Sequence, residues 1–231
     1  VIIRVVKVEK LHSWQVSPAE ALNWQRRLAS QVSRSGQITT PRFIAGADIS
    51  SPKAGTGAVV VLSYPELRVV ETRVVQGGLD FPYIPGLLSF RESPLVLAAC
   101  EGLNTTPDLL LVDGQGVAHP RRFGLASHLG LCLDIPTIGC AKSLLCGHYD
   151  EPGNEPGSYS KIVDGSEIIG VALRTKAMLK PVYVSIGHKV DLETAIDWVL
   201  KCCRGYRIPE PLRLAHLAAG GAKVGEESYQ E

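Results

Sequence analysis

Two short apolar segments of this chain each lead into an aspartate, and this pattern constrains the fold more than any other feature. Residues 109–112 are Leu-Leu-Leu-Val, and Asp113 follows them directly. The segment 42–49 is rich in small and apolar residues and carries Asp48 near its end. A short run without polar residues is typical of a central strand that is covered on both faces. We therefore predict two buried strands with an acid at the end of each.

The order of the predicted elements gives the fold class. Ser17-Pro18-Ala19-Glu20 is typical of a capped helix start, and the helix should extend to about Val32. A three-stranded meander follows, and short strands then alternate with helices, which predicts an α/β fold with a mixed sheet and helices on its faces. The further predicted segments are strands at 42–49, 58–64, 68–75, 107–112, 136–139, 167–174 and 182–186, helices at 89–103, 122–131 and 192–203, a helical turn at 142–145 and a loop at 151–157.

Three acids form the main candidate site. The right-handed crossover rule makes the Asp113 strand parallel to an earlier strand. If that neighbour is the first strand, Asp48 and Asp113 end side by side, and Glu92 lies near the start of the helix after the meander. Each acid alone is more often structural. An Asp after a strand commonly caps a turn, and a Glu in the first turn of a helix interacts favourably with the positive end of the helix dipole. Carboxylates crowded at one sheet edge, however, repel one another unless protons or cations neutralise them.

Such a cluster favours metal-dependent phosphate chemistry. Oxygen ligands suit Mg²⁺ or Mn²⁺. Two such ions, roughly 3.5–4 Å apart, stabilise the attacking and leaving oxygens of a phosphodiester displacement. The residues alone therefore favour a metal-dependent nuclease.

Composition and length limit the protein class and the number of domains. Of 231 residues, 45% are apolar and 20% are charged, which is typical of a folded protein and not of a disordered chain. The length favours one domain, with two small domains as the alternative. We expect an N-terminal extension over 1–16, a single catalytic domain over 17–217 and a disordered tail over 218–231. The net charge of +1 neither indicates nor excludes a nucleic-acid partner, because the placement of basic residues matters more than their sum.

The cysteines and the hydropathy pattern bear on the compartment. None of the six cysteines forms a Cys-x-x-Cys pair, so we expect buried, reduced thiols in a cytoplasmic protein. No apolar stretch approaches the length of a membrane span, and charged residues interrupt the N-terminus too early for a signal peptide. We therefore expect no membrane partner.

Several basic residues and histidines are further candidates for the site. His119 follows Asp113 by six positions, and His216 follows a basic segment with two prolines. Lys142 comes at the end of a predicted strand, where it can approach a phosphate as a point charge. Arg121 and Arg122 either bind the substrate backbone or merely lie at a helix start, and the residues leave both readings open.

The segment Pro82-Tyr83-Ile84-Pro85-Gly86 has two possible roles. It is either a rigid surface turn or a stiff loop that carries a planar or apolar tip between bases. Apolar wedges of this kind offset part of the unstacking cost of a few kcal/mol per step.

Other enzyme classes find less support. The chain lacks a Gly-x-Ser-x-Gly elbow for a serine nucleophile and shows no cysteine in an obviously electropositive turn. The glycines at 114 and 116 do not continue into a Gly-x-Gly-x-x-Gly dinucleotide motif.

Seven motifs, in order and spacing, resemble those of the endonuclease V family. The resemblance covers about residues 18–216. The motifs are Phe43-Ile-Ala-Gly-Ala-Asp48, Pro82-Tyr-Ile-Pro-Gly86, Ser89-Phe-Arg-Glu92, Val112-Asp-Gly-Gln-Gly116 with His119-Pro-Arg-Arg122, Gly139-Cys-Ala-Lys142, Ser185-Ile-Gly-His188 and Tyr206-Arg-Ile-Pro-Glu-Pro211.

The resemblance implies a fold and an activity. The fold is ribonuclease H-like, which agrees with the strand order above. The activity is recognition of deoxyinosine, the product of adenine deamination, in DNA. Hydrolysis at the second phosphodiester bond 3′ to the lesion, with Mg²⁺ or Mn²⁺, leaves 3′-hydroxyl and 5′-phosphate ends.

The resemblance also implies roles for individual residues. Asp48, Glu92 and Asp113 would be the metal-binding catalytic acids. His216 would help to surround the metal, His119 would be an active-site partner and Lys142 would contact phosphate. The loop Pro82–Pro85 would separate the strands with Tyr83 at its tip, and Gly86, Gly114 and Gly116 would form the walls of the base pocket.

Two alternatives remain open at this stage. Some relatives prefer inosine in RNA, so the protein could be mainly a ribonuclease. It could also be a non-catalytic binder of distorted nucleic acid that keeps the fold, although the intact trio of acids argues against this. In either case we expect a monomer.

Overall fold

The computed structural model describes residues 6–50 and 54–225. Within these ranges, five α-helices pack around an eight-stranded mixed sheet. The strands are β1 (Phe43–Ser50), β2 (Gly55–Ser63), β3 (Val69–Gly77), β4 (Leu109–Val112), β5 (Thr137–Ala141), β6 (Tyr159–Asp164), β7 (Glu167–Leu173) and β8 (Val182–His188). The helices are α1 (Pro18–Ala29), α2 (Leu88–Glu101), α3 (Leu125–Leu133), α4 (Leu192–Lys201) and α5 (Glu210–Ala219).

The centre of the sheet is parallel and its outer parts are antiparallel. The strand order is β3-β2-β1-β4-β5-β8-β7-β6, with β1, β4 and β5 parallel to one another. Ala47 pairs with Val112, and the Asp113 N–H donates to the Ala47 carbonyl at 3.0 Å. The prediction that Asp48 and Asp113 end side by side at one sheet edge is therefore confirmed.

Helices cover both faces of the sheet, as predicted. The residues of β4 alternate between the two cores: Leu109 and Leu111 pack with α4 and α5, and Leu110 and Val112 pack with α2 and α3. All four side chains are fully buried. This two-sided burial explains why the strand contains no polar residue, since neither face meets water.

The last helix lies directly on the backbone of β1. A Cβ added at Gly46 would lie 2.1 Å from the Pro211 carbonyl oxygen, so only glycine permits this approach. The close contact between α5 and β1 sets the position of every side chain that α5 directs toward the sheet edge.

Helix α1 packs against two buried clusters, because Ala21 lies with Phe90 of α2 and Leu28 lies in the core that contains α4 and α5. The predicted capping box is present: Ser17 accepts from Glu20 N–H, and the Glu20 carboxylate accepts from Ser17 N–H. The helix ends at Ala29 and not at Val32, because Val32 turns into the core and Ser33 N–H donates to His188. Residues 6–16, treated above as an extension, contribute buried Val6 and His12.

Two elements were not predicted. Strand β6 is an outer strand with only one fully buried side chain, Ile162, so its sequence carries a weak hydrophobic pattern. Helix α5 begins with Glu210-Pro211, and proline is compatible with a first helical turn. The basic residues and the two prolines of residues 204–213 give no helical pattern that would have predicted this helix.

Two further predictions about helical segments were wrong. The helix expected from residue 122 begins at Leu125, because Arg122 adopts a left-handed φ of 55°. The helical turn expected at 142–145 is absent. The Lys142 carbonyl accepts from Arg207 and the Ser143 carbonyl accepts from Gln115, so these carbonyls bond to other segments.

The predicted tail begins too early. Helix α5 continues to Ala219, and Thr72 Oγ1 donates to the Val224 carbonyl at 3.2 Å. Residues 226–231 of the expected tail lie outside the described residues. Within the described ranges, no helix combines the length and the hydropathy needed to cross a bilayer.

Candidate active site

Three potential metal ligands from distant parts of the chain meet near the carboxyl ends of β1 and β4. Asp48, Asp113 and His216 each offer one ligand atom, and these atoms all lie within 4.8 Å of one another. His216 Nδ1 lies 2.7 Å from Asp48 Oδ2, and Ile49 N–H donates to Asp48 Oδ1 at 2.8 Å. Asp48 is buried, whereas 62% of the His216 side chain is exposed. The cluster is therefore anchored in the sheet and open on the side of α5.

The charge balance of this cluster is unfavourable without a cation. Burial and the negative charge of Asp48 raise the pKa of Asp113. Lys142 Nζ forms an ion pair with Asp113 Oδ2 and opposes this rise. Lys142 thus lies where a positive charge is needed, at the exposed side of Asp113.

Glu92 contributes a third carboxylate from the second turn of α2. Burial, followed by repulsion from Asp48 and Asp113, raises the pKa of Glu92 to about 7, while Arg91 lowers it. Within the described residues, Glu92 is not part of the cluster whose ligand atoms lie within 4.8 Å of one another. The two strand-end acids are therefore adjacent, and Glu92 faces them across the same cavity.

The cavity beside the acids has a volume of about 450 Å³, within the range of small-ligand sites. Its walls bring together segments that are far apart in the sequence. The predicted site residues that line it are Asp48, Tyr83, Pro85, Gly86, Glu92, Asp113, Gly114, His119, Lys142 and His216.

Gly116 is absent from this lining. A Cβ added at Gly116 would lie 1.9 Å from the Ile186 carbonyl oxygen, so the residue is glycine because β8 packs against its Cα. Gly114 lines the cavity, and an added Cβ would lie 3.3 Å from Leu125 Cδ2. The two glycines thus differ: Gly114 borders the cavity, and Gly116 holds the turn against the sheet.

The Gly86 carbonyl accepts hydrogen bonds from three side chains. The donors are Gln25 Nε2 at 2.9 Å, His119 Nε2 at 2.9 Å and Arg121 Nη2 at 2.6 Å. Gln25 is completely buried, donates also to the Phe123 carbonyl and accepts from Arg121 Nε. Gly86 itself has a φ of +79°. This network fixes the orientation of the loop that precedes α2.

The hydrogen bonds of His119 determine its tautomer. Arg121 N–H donates to His119 Nδ1 at 3.1 Å, so the ring proton resides on Nε2 and is donated to Gly86. Burial and the adjacent Arg121 lower the pKa of His119 to about 4. His119 is therefore a neutral side chain with both ring nitrogens engaged, and it acts on the site by holding Gly86.

The two arginines that are candidates for phosphate binding both have protein partners. Arg121 bonds to Gly86 and Gln25 as described, and Arg122 forms ion pairs with Asp164 at 2.9 Å and Glu167 at 2.6 Å. Arg122 Nη1 also donates to the His119 carbonyl. In this arrangement both guanidiniums brace the cavity wall.

The loop Pro82–Pro85 projects from the mouth of the cavity. The side chain of Tyr83 is 70% exposed, and Pro82 and Pro85 are also exposed. Ile84 packs partly against the cluster of Ala21, Phe81, Leu87 and Phe90. The loop thus has an anchored residue at Ile84 and an unsupported aromatic ring at its tip.

Sequence reasoning missed Gln25 as part of the site. A pattern for it did exist: Ala21, Gln25 and Leu28 are the buried residues of α1, and their spacing places a polar residue on the apolar stripe of the helix. A polar residue on such a stripe needs a buried hydrogen-bond partner, which here is the Gly86 carbonyl.

Comparison with known proteins identifies the family. The sequence model of the family described as Endonuclease V matches residues 26–217. The chain belongs to the endonuclease V family. Endonuclease V of Dehalococcoides mccartyi strain BAV1 is 54% identical over 217 residues, covering 93% of this chain and 97% of the relative. The chain is an endonuclease of DNA repair.

Solved endonuclease V structures share the whole fold. The crystal structure from Streptomyces avermitilis superposes with a TM-score of 0.86 at 40% identity, covering 94% of this chain and 97% of that chain. Endonuclease V of Ciona intestinalis, solved with a 24mer DNA containing an inosine followed by a ribo-adenosine, has a TM-score of 0.77 at 32% identity and covers 88% and 96%. Endonuclease V is a nuclease that needs a divalent metal.

The donor set fits such a metal. Two carboxylates and one imidazole within 4.8 Å of one another offer mainly hard oxygen ligands, which suit Mg²⁺ or Mn²⁺. The raised pKa of Asp113 and the pKa of about 7 at Glu92 reflect buried negative charge that a cation would neutralise.

Proposed function

We propose that this endonuclease V recognises deoxyinosine in DNA and hydrolyses the second phosphodiester bond 3′ to it, leaving 3′-hydroxyl and 5′-phosphate ends. The observation that carries the proposal is the cluster of Asp48, Asp113 and His216 beside a cavity of about 450 Å³. The relative from Ciona intestinalis, which binds inosine-containing DNA, supports the choice of substrate.

The acids and His216 would hold the divalent cation. We assign Asp48, Asp113 and His216 as its ligands and Glu92 as the third acid of the site. The cation, Mg²⁺ or Mn²⁺, supplies Lewis-acid stabilisation of the phosphate charge when bound. Lys142, 40% exposed beside Asp113, would contact the phosphate and stabilise negative charge as it develops.

Backbone groups would select the base. The Gly86 carbonyl already accepts from three donors, so it has no lone pair left for a ligand. Recognition at this wall therefore falls to N–H groups. These match the carbonyl oxygen of hypoxanthine and reject the amino group that adenine carries at the same position. The carbonyls and N–H groups near Gly114 would complete the pocket.

The loop Pro82–Pro85 would hold the strands apart. Tyr83 supplies a planar ring at the tip, and Ile84 anchors the loop to the core. An inosine pair is weaker than a normal pair, which lowers the cost of extruding the lesion into the cavity.

The decisive experiment is a cleavage assay on end-labelled DNA with one deoxyinosine, with Mg²⁺ present. We expect one cut, at the second bond 3′ to the lesion, and none in the matched adenine duplex. Asp113→Asn should abolish cutting and retain binding of inosine DNA, whereas Asp197→Asn, which alters an exposed acid paired with Lys201, should cut normally. Full cleavage by Asp113→Asn would contradict the metal assignment, and binding without cleavage by the unaltered protein would make it a non-catalytic binder.

Inosine in RNA is the second candidate substrate. The ligand of the Ciona intestinalis relative carries a ribo-adenosine directly after the inosine, so that protein accommodates a ribose next to the lesion. Competition between matched inosine DNA and inosine RNA strands, followed by product mapping of each, decides which the present chain prefers.

We further propose that the enzyme acts as a monomer in a reducing compartment such as the cytoplasm. One chain supplies all the assigned donors, and the six cysteines are free thiols, as is usual in that compartment. Light scattering at the concentration of the cleavage assay tests the first point, since a dimer would contradict it.

A further inference from the structure

A second cavity of about 490 Å³ lies next to the strand-separating loop. It is formed by residues 14–16, by residues 78 and 80–82 and by one face of α2. The two cavities share no lining residue: Tyr83 and Pro85 border the first, and Pro82 borders the second. The loop and α2 therefore stand between a cavity that holds the acids and one that has none of them.

The lining of the second cavity combines aromatic rings with a guanidinium. Trp14, Phe81 and Phe90 supply the rings, with Trp14 partly exposed and the two phenylalanines buried beneath it. Ring centroids of Trp14 and Phe90 lie 6.2 Å apart in an edge-to-face arrangement. Only the Trp14 ring is exposed enough to stack on a ligand, and stacking of a nucleobase on an aromatic ring contributes about 1–3 kcal/mol per base.

Arg91 supplies positive charge to this cavity. Its Nη1 donates to the carbonyls of Leu79 and Phe81, at 3.0 and 2.5 Å. In the described ranges, Arg91 makes no ion pair with a carboxylate within 4.0 Å, although its charge lowers the pKa of Glu92. Asp80 is exposed at the rim of the same cavity. The guanidinium is therefore held by neutral carbonyls and available to an anion.

We propose that this second cavity receives a nucleotide of the strand opposite the lesion, with its base on Trp14 and its phosphate beside Arg91. The proposal rests on the proposed function, because only a duplex opened by the loop presents such a nucleotide. Extrusion of inosine leaves its partner base unpaired, and a stacking surface on the far side of the loop offsets the lost pairing. The strand to be cut runs past Asp48 and Asp113 in the first cavity, which leaves the second to the other strand.

Gln15 offers a test that leaves the anchoring residues intact. Its exposed side chain lines the second cavity. Gln15→Lys adds a positive charge there and Gln15→Glu a negative one, so phosphate binding predicts opposite effects. Gln37, exposed in the connector between α1 and β1, provides the matched controls Gln37→Lys and Gln37→Glu. The measurement is kcat/KM for cutting one inosine strand in three forms: single-stranded, fully paired, and paired with abasic residues opposite the lesion and its neighbours.

We expect Gln15→Glu to lower kcat/KM on the full duplex by about threefold and Gln15→Lys to raise it by a similar factor, the size of a partly exposed charge contact. The single strand should change less than the full duplex. The abasic duplex should keep only part of the effect, because it retains phosphates and lacks bases. The two Gln37 substitutions should leave kcat/KM on all three substrates equal to that of the unaltered protein.

Three results would overturn the proposal. They are equal effects on single strand and duplex, effects that the Gln37 pair reproduces, and no effect of either Gln15 substitution. A protein that cuts no inosine substrate at all would instead refute the proposed function, and this inference with it.

Discussion

Replacement of His119 by glutamine tests whether a neutral imidazole holds the cavity wall. The buried ring donates from Nε2 to the Gly86 carbonyl, and its pKa is lowered to about 4. The unfolded chain has a histidine pKa near 6.5, so it binds more protons than the folded chain between these two values. The stability that the neutral ring provides is therefore present above about pH 6.5 and lost as the pH falls toward 4.

The size of this effect follows from the two pKa values. The full difference corresponds to roughly 3 kcal/mol, of which about 2 kcal/mol is lost between pH 7.5 and pH 5. His119→Gln keeps an amide that can donate to Gly86 and does not titrate. Between pH 7.5 and pH 5 the free energy of unfolding should therefore fall in both proteins. The fall in His119→Gln should be about 2 kcal/mol smaller than the fall in the unaltered protein.

Urea unfolding at pH 7.5 and pH 5, followed by circular dichroism, measures this difference. His148 lies exposed at the surface, so His148→Gln serves as the control and should keep the pH dependence of the unaltered protein. The buried pair of His12 and His128 also has lowered pKa values, and it contributes equally to all three proteins. Identical pH dependence in His119→Gln and the unaltered protein would refute the reasoning.

Three further predictions concern the loop, the buried network and the metal. Tyr83→Ala should weaken binding of an inosine duplex several-fold in a gel-shift assay and leave the free energy of unfolding nearly unchanged, because the side chain is 70% exposed. Gln25→Leu should lower the free energy of unfolding by about 2–3 kcal/mol in urea titrations, since it leaves the Phe123 carbonyl and Arg121 Nε without their partner. A stability equal to that of the unaltered protein would contradict the hydrogen-bond network. Removal of divalent cations with a chelator should stop cleavage, and Mg²⁺ or Mn²⁺ should restore it. Cutting that persists in the chelator would contradict the metal site.

The centre of the fold could be predicted from sequence because its residues obey simple patterns. The run Leu109–Val112 has apolar side chains on both faces, and this matches its place between two helical layers. The crossover rule, together with the assumption that the first strand is the parallel neighbour, then predicted that Asp48 and Asp113 end side by side. The periphery could not be predicted in the same way, because strand β6 buries a single side chain fully and its pattern is weak.

Hydrogen bonds between distant segments account for what the sequence did not reveal in the site. Arg121 and Arg122 were candidates for phosphate contacts, and their partners Gln25, Asp164 and Glu167 belong to other elements. No local sequence pattern predicts a hydrogen-bond partner that lies in a distant element. The role of Gly116 could not be predicted for the same reason. The carbonyl that leaves no room for a side chain there belongs to Ile186 of β8, which is distant in the sequence.

The seating of the last helix on Gly46 has a consequence for the time at which the protein becomes active. Ribosomes synthesise a chain from its N-terminus at about 5–20 residues per second. Asp48 and Asp113 therefore leave the ribosome before the segment that contains His216. Until that segment docks, a nascent copy lacks one of the three proposed metal ligands. On the proposed assignment, cleavage activity therefore appears only after the segment that carries His216 has been synthesised and has docked. A product terminated before this segment would be defective in folding and would not cut DNA.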